Sequence, residues 1–405
     1  MVTTLVRGGN SQMDSLTVIS TETSSQDRVA KTSLKHQDPL KSYRESSRQD
    51  LQDRIVKAKE QLGESLLILG HHYQQDEVFQ FADLTGDSFK LSRMAAENTD
   101  CRWIVFCGVH FMAETADILA NSPQQVSSRK GRRVEVVLPD LAAGCSMADM
   151  ADLEQVEDCW DELETVMDTS DVTPVTYINS AASLKSFCGR HGGIVCTSSN
   201  AQAVLKWAFE RRKKVLFFPD QHLGRNTARR MGIGLSEMVL WDPALPQGGN
   251  SEAALVNARV LLWKGHCSVH QVFRKEHVSQ LRKEYPEIRI LVHPECMQEV
   301  VDMADDVGST EHIIQQVHNA PDGTRWAIGT ELHLVNRLKE TYQGQNVHFL
   351  SPMVCMCATM YRIDLAHLCW SLECLVSGKA ENVIQVPEAV AEGSRKSLER
   401  MLQVK

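Results

Sequence analysis

Three of the chain's twelve cysteines stand in short runs of small or polar residues. These are Cys145 in Ala143-Gly144-Cys145-Ser146, Cys267 in Gly265-His266-Cys267, and Cys357 in Cys355-Met356-Cys357. Deprotonated cysteine is a nucleophile and a soft metal ligand, so such runs could hold a metal group. Two other kinds of polar run precede each cysteine. His71-His72-Tyr73, Tyr177-Ile178-Asn179 and His293-Pro294-Glu295 carry side chains able to donate, accept or move protons. Some fifteen to twenty residues further on come Gly86-Asp87-Ser88, Thr197-Ser198-Ser199-Asn200 and Gly308-Ser309-Thr310. Clusters of that kind suit a helix start, where free backbone N–H groups and hydroxyls bind carboxylate or phosphate. The order of polar run, hydroxyl cluster and cysteine thus occurs three times.

Apolar runs bounded by turn residues show what positions these groups. They predict strands over 65–70, 103–107 and 135–138, then 175–178, 215–218 and 260–263, then 288–292, 326–328 and 347–350. Helix-length stretches with apolar residues three and four apart separate them, for example Ala201, Leu205, Ala208 and Phe209. Alternating strands and helices with near-continuous apolar strands mean parallel sheets covered by helices. The fold class expected is α/β, as three α/β/α domains related by pseudo-threefold symmetry around a central active site. The expected divisions are 46–150, 151–272 and 273–362, followed by a C-terminal helical segment over 363–405. In open α/β sheets ligands bind beyond the carboxyl ends of the strands, where all three polar runs and all three cysteines fall. Three converging thiolates without an equivalent fourth ligand fit a [4Fe–4S] cluster with one iron open to substrate. Zinc with three cysteines and a water is the alternative metal. Three buried packing thiols are the plain reading, and the threefold recurrence weighs against it.

Composition narrows the function further. A net charge of −9 argues against nucleic-acid binding, which needs a basic face. No apolar run approaches the roughly 20 residues that span a bilayer, so no membrane association is expected. Residues 1–45 are rich in Ser, Thr, Gln and Asp without periodicity or an apolar h-region, which predicts a disordered leader rather than a secretory signal. Twelve cysteines without such a signal point to the reducing cytoplasm and to thiols, not disulfides.

The same residues carry a family resemblance. His71-His72-Tyr73-Gln74 with Gly86-Asp87-Ser88 resembles the opening motif of quinolinate synthases. The run from Phe106 to Ala116, Phe-Cys-Gly-Val-His-Phe-Met-Ala-Glu-Thr-Ala, is similar to that family's second signature. Leu138-Pro139-Asp140-Leu141, the Cys145 motif, Tyr177-Ile178-Asn179-Ser180, Cys196-Thr197-Ser198-Ser199-Asn200-Ala201 and Phe218-Pro219-Asp220 follow in the family's order. His293-Pro294-Glu295-Cys296, Gly308-Ser309-Thr310, Gly329-Thr330-Glu331 and Cys357-Ala358-Thr359-Met360 complete the likeness, which covers about residues 50–378.

The resemblance implies an enzyme that condenses iminoaspartate with dihydroxyacetone phosphate to quinolinate for NAD biosynthesis, with a [4Fe–4S] cluster as Lewis acid. It implies cluster ligands at Cys145, Cys267 and Cys357, with Cys355 a rival to Cys357. It implies catalytic roles for Tyr73, His293 and Glu295. Substrate contacts would fall on His71, Ser88, Phe111, Tyr177, Asn179, Ser198 and either Ser309 or Thr310. Expected partners are an iminoaspartate-producing aspartate oxidase or dehydrogenase and the iron–sulfur assembly machinery. The stretches 122–134, 150–173, 188–193 and 242–258 are expected as lengthened loops. Two rivals stay open: another three-cysteine iron–sulfur hydro-lyase, and a non-catalytic iron–sulfur sensor.

Overall fold

The computed structural model describes residues 38–97, 100–354 and 356–404. Most of the expected leader, residues 1–37, lies outside the described residues, as does Cys355. The order of the chain begins earlier than residue 46. Lys41–Arg44 is helical, Leu40 is buried, and the Tyr43 hydroxyl donates to Glu373 at 2.7 Å.

Strands are numbered in chain order. The first set is β1 (Leu66–His71), β2 (Leu84–Gly86), β3 (Trp103–Cys107) and β4 (Glu135–Val137). The second is β5 (Val172–Tyr177), β6 (Ile194–Cys196), β7 (Lys214–Phe218), β8 (Met238–Trp241) and β9 (Val260–Trp263). The third is β10 (Arg289–Val292), β11 (Asp306–Val307), β12 (Arg325–Gly329) and β13 (Asn346–Phe349), and β14 (Val383–Ile384) comes last. They form three sheets, in the orders β14-β4-β3-β1-β2, β6-β5-β7-β9-β8 and β11-β10-β12-β13. All pairings are parallel except β14 with β4. Each sheet therefore contains one shared pattern: a short edge strand, the opening strand, the next long strand, and the strand that leads to a cysteine. All nine expected strands are present. The central strands are apolar on both faces because helices cover both, and β1, β3 and β5 are buried throughout.

Sequence punctuation explains most of the helix starts. Asp220 caps helix Gln221–Arg230, Glu331 caps Leu332–Thr341 and Ser309 caps Thr310–Asn319, each side chain accepting backbone N–H groups of the first turn. The stretch 150–173 is more than a lengthened loop. It contains helix Leu153–Val166, started by an Asp152/Gln155 capping box, with Val156, Cys159, Trp160 and Leu163 buried.

The C-terminal segment contains two helices and supplies β14. Helix Leu365–Val376 packs on helix Arg48–Leu62, and helix Glu388–Gln403 runs along helix Ala182–Arg190 and β6. The last crossing is close. A Cβ at Gly189 would lie 1.8 Å from the Gly393 carbonyl oxygen, so the backbones can meet only without side chains. Ser394 and Ser397 then donate to the carbonyls of Ala182 and Lys185 at 2.8 and 2.7 Å. Among the described residues no helix is long and apolar enough to cross a membrane.

Candidate active site

The carboxyl ends of the opening strands deliver equivalent side chains. β1 ends at His71, β5 at Tyr177, and His293 follows β10 directly. Two residues on stand Tyr73, Asn179 and Glu295. These residues line one cavity of about 670 Å³ together with Ser88, Phe111, Ser198, Cys145, Cys267 and Cys357. Every candidate from the sequence is there except Ser309 and Thr310. Ser309 is occupied as a helix cap, accepting from His312 N at 3.4 Å. Thr310 reaches the cavity wall only through Tyr73, its hydroxyl donating to the Tyr73 oxygen at 3.1 Å.

The two histidines share a device. His71 Nδ1 accepts the Tyr73 N–H at 3.1 Å, and His293 Nδ1 accepts the Glu295 N–H at 3.4 Å. With Nδ1 accepting, Nε2 carries the proton and each ring is a neutral donor. Burial, then the neighbouring His72 and His293, pulls the His71 pKa down to about 3. Burial does the same to His293, to about 3, against the opposing pull of Glu295. His71 is thus a neutral group at neutral pH, because removal from water outweighs any gain from charging it.

Glu295 is the ionised member. Burial alone would raise its pKa, but His293, His270 and the Tyr177 hydroxyl outweigh burial and hold it below the usual carboxylate range. Tyr177 donates to Oε1 at 2.6 Å, a charge-assisted hydrogen bond. The rings of His270 and His293 stack, centroids 4.6 Å apart. His270 Nδ1 lies 3.3 Å from Glu295 Oε2, at an angle that makes no directional hydrogen bond. Burial, and then the Glu295 charge, raises both Tyr73 and Tyr177 well above the ordinary phenol value. Both therefore keep their protons. Asn179 Oδ1 is buried without a protein partner, and an acceptor left so in a cavity wall is free for a ligand.

His270 was not singled out from the sequence. Its signal was Cys267-x-x-His270, a metal-ligand spacing set by a turn in which the His270 N–H donates to the Cys267 carbonyl at 3.2 Å. Asp87 was also missed as a separate contributor. It caps helix Ser88–Glu97, accepting Lys90 N at 2.9 Å, and accepts the Ser199 hydroxyl at 2.8 Å, so it joins two of the hydroxyl clusters.

The three thiols meet the cavity from loops that follow β4, β9 and β13. Burial pushes the Cys145 thiol up to about 12, and Cys357 adds to the shift. Cys267 is raised by burial, then by Glu295, Cys145 and Cys357. These are thiols close enough to disfavour one another's charge, a situation that a metal cation relieves. Glu331 supports one of the loops: fully buried, it spans His333 N at 2.7 Å and Cys357 N at 3.5 Å. Among the described residues one group has its potential ligand atoms all within 4.8 Å of one another, namely Cys267, His270 and Glu295.

Parallel sheets, neutral and acidic hydrogen-bonding groups and cysteines around one cavity define an α/β enzyme whose side chains could bind a metal. Comparison with known proteins gives the family. The family described as "Quinolinate synthetase A protein" matches residues 53–403. The chain is similar to the quinolinate synthase of Rhodopirellula baltica, 64% identical over 368 residues, covering 91% of this chain and 94% of the relative. It is 54% identical over 362 residues to that of Corynebacterium glutamicum (89% of each chain). It is 49% identical over 363 residues to that of Bacillus subtilis (90% of this chain, 95% of the relative). The chain belongs to the quinolinate synthetase A family, a family of enzymes.

Proposed function

We propose that the protein condenses iminoaspartate with dihydroxyacetone phosphate, releasing phosphate and two waters, to give quinolinate for NAD biosynthesis. The observation that carries this reading is the single cavity lined by Cys145, Cys267 and Cys357 together with the ends of all three opening strands. A [4Fe–4S] cluster on those three cysteines would supply a Lewis acid for the dehydrations. Among the described residues no other cysteine lines the cavity, and three soft thiols fit such a cluster.

The chain's own groups divide the remaining work by protonation state. Glu295, ionised and held on Tyr177, is the proton acceptor among the catalytic candidates. Tyr73 keeps its proton and is the donor, its hydroxyl steadied by Thr310 and by Thr330 at 2.8 Å. His293, neutral with Nδ1 engaged, offers Nε2–H as a fixed hydrogen-bond donor beside Glu295. His71 does the same from β1, and the hydroxyls of Ser88 and Ser198 add neutral donors for carboxylate and phosphate oxygens. Phe111 closes one wall and excludes water. We place the reaction in the cytoplasm, with an iminoaspartate-forming enzyme upstream and cluster assembly machinery as a further partner.

The test is anaerobic. Reduced, iron-loaded protein is mixed with dihydroxyacetone phosphate and enzymatically generated iminoaspartate, and pyridine absorbance is followed. Formation of quinolinate in proportion to enzyme is expected. An iron-loaded protein that makes none, yet dehydrates a hydroxy acid, would replace this reading with that of an iron–sulfur hydro-lyase.

A further inference from the structure

Lys185, in helix Ala182–Arg190, is fully buried and takes part in no ion pair among the described residues. Its ammonium donates to the carbonyl oxygen of Ser180 and lies 5.5 Å from the centre of the Phe111 ring, which lines the cavity. Glu114, in the signature run before it, is the leading negative charge acting on Lys185, yet it forms no ion pair with it among the described residues. Its carboxylate accepts Ala182 N at 3.0 Å and faces His110 at 3.8 Å. Burial draws the Lys185 pKa down to about 8 against the opposing pull of Glu114, which still leaves the group charged at neutral pH. A buried cation without a paired carboxylate is costly unless other negative charge offsets it.

The cavity lacks the charge that this residue holds. Among the described residues no lysine or arginine lines it, and His71 and His293 are held neutral. Thiolates and small acids carrying carboxylates or phosphate would together place several negative charges there. We propose that Lys185 is the counter-cation of this cavity, a positioning residue acting through the face of Phe111, which tightens binding of dicarboxylate ligands. Attraction across an aromatic face adds to the field of the charge itself. The inference rests on the reading of the site as one for a dicarboxylate substrate.

The experiment compares Lys185→Met and Lys185→Gln with the parent protein, reduced and metal-free. Succinate serves as the dicarboxylate probe, and affinity and melting temperature are measured together. Glutamine keeps a donor for the Ser180 carbonyl but has no charge, so it separates the two duties. The proposal expects both variants to bind succinate about tenfold more weakly, the scale of one partly screened charge beyond a ring. It also expects the melting temperature of Lys185→Met to be unchanged or raised, because a buried ion gives way to an apolar chain of similar length. Parent-like affinity in Lys185→Gln would overturn the proposal. So would a melting temperature several degrees lower in both variants with unchanged affinity, which would make Lys185 a clasp for the Ser180 turn. If the parent itself fails to bind succinate, the functional reading falls, and the melting comparison still rules on Lys185.

Discussion

Tyr73→Phe separates proton transfer from packing more cleanly than any other single change at this site. The substitution removes one oxygen and leaves the ring where it is, edge-on to His71 with centroids 4.8 Å apart. That oxygen takes part in two hydrogen bonds, with Thr330 at 2.8 Å and Thr310 at 3.1 Å. Each contributes about 1 kcal/mol net, and the two threonine hydroxyls remain able to find other partners. The expected stability cost is therefore at most about 2 kcal/mol, a few degrees in melting temperature for a chain of this size. The expected loss in turnover is larger, about 10²–10⁴-fold, because the hydroxyl is the proposed proton donor and lines the same cavity as Glu295. The assay is anaerobic steady-state quinolinate formation, with iron content and melting temperature measured on the same samples. Near-normal turnover with full iron would remove Tyr73 from proton transfer and make it a strut between Thr310 and Thr330.

Glu295→Gln is expected to lower turnover by about 10²–10⁴-fold while iron content is unchanged, since the amide still accepts from Tyr177 but cannot take up a proton; parent-like turnover would assign the base elsewhere. Glu331→Ala removes the carboxylate under the Cys357 loop and is expected to speed loss of iron to a chelator severalfold, with secondary structure by circular dichroism unchanged. Acid stability carries a sign. His71 and His293 have folded pKa values near 3, below the unfolded value, so the unfolded chain binds more protons between them. Their contribution is complete above about pH 6.5 and is lost as pH falls toward 3, at about 1.4 kcal/mol per pH unit for each histidine. Glu331, raised by burial to about 7, pulls the other way between pH 4.5 and 7. Denaturant midpoints of metal-free His71→Asn and parent protein are therefore compared between pH 6 and 4, where the variant should show the shallower decline.

Much of this architecture was legible because long buried strands announce themselves. β3 and β9 match their apolar runs residue for residue, and the other seven expected strands are present within a few residues. β5 begins three residues before its expected start because it passes through Pro174, a residue that normally argues against an inner strand. The strands that were missed are short or partly exposed. β2 is Leu-Thr-Gly, β11 is two half-buried residues, and β14 is two residues paired antiparallel at an edge. Runs that short contain no period to read. β2, β6 and β11 nevertheless explain the hydroxyl clusters, which follow them directly as their chains turn into helices. The site was legible where three copies could be compared, at His71, Tyr177 and His293 and at the cysteines. It was not legible at His270, which has no counterpart in the other two copies, nor in the neutrality of His71, which depends on burial that residue type does not reveal.

We propose that Cys145, Cys267 and Cys357 together hold an iron–sulfur cluster at the cavity they line. Iron and acid-labile sulfide, counted per chain after anaerobic reconstitution of the parent and the three single Cys→Ser variants, test it most directly. About four of each are expected in the parent, with a marked loss in all three variants. One zinc per chain, retained when Cys145 or Cys357 is replaced and lost with Cys267, would contradict it and move the metal to Cys267, His270 and Glu295.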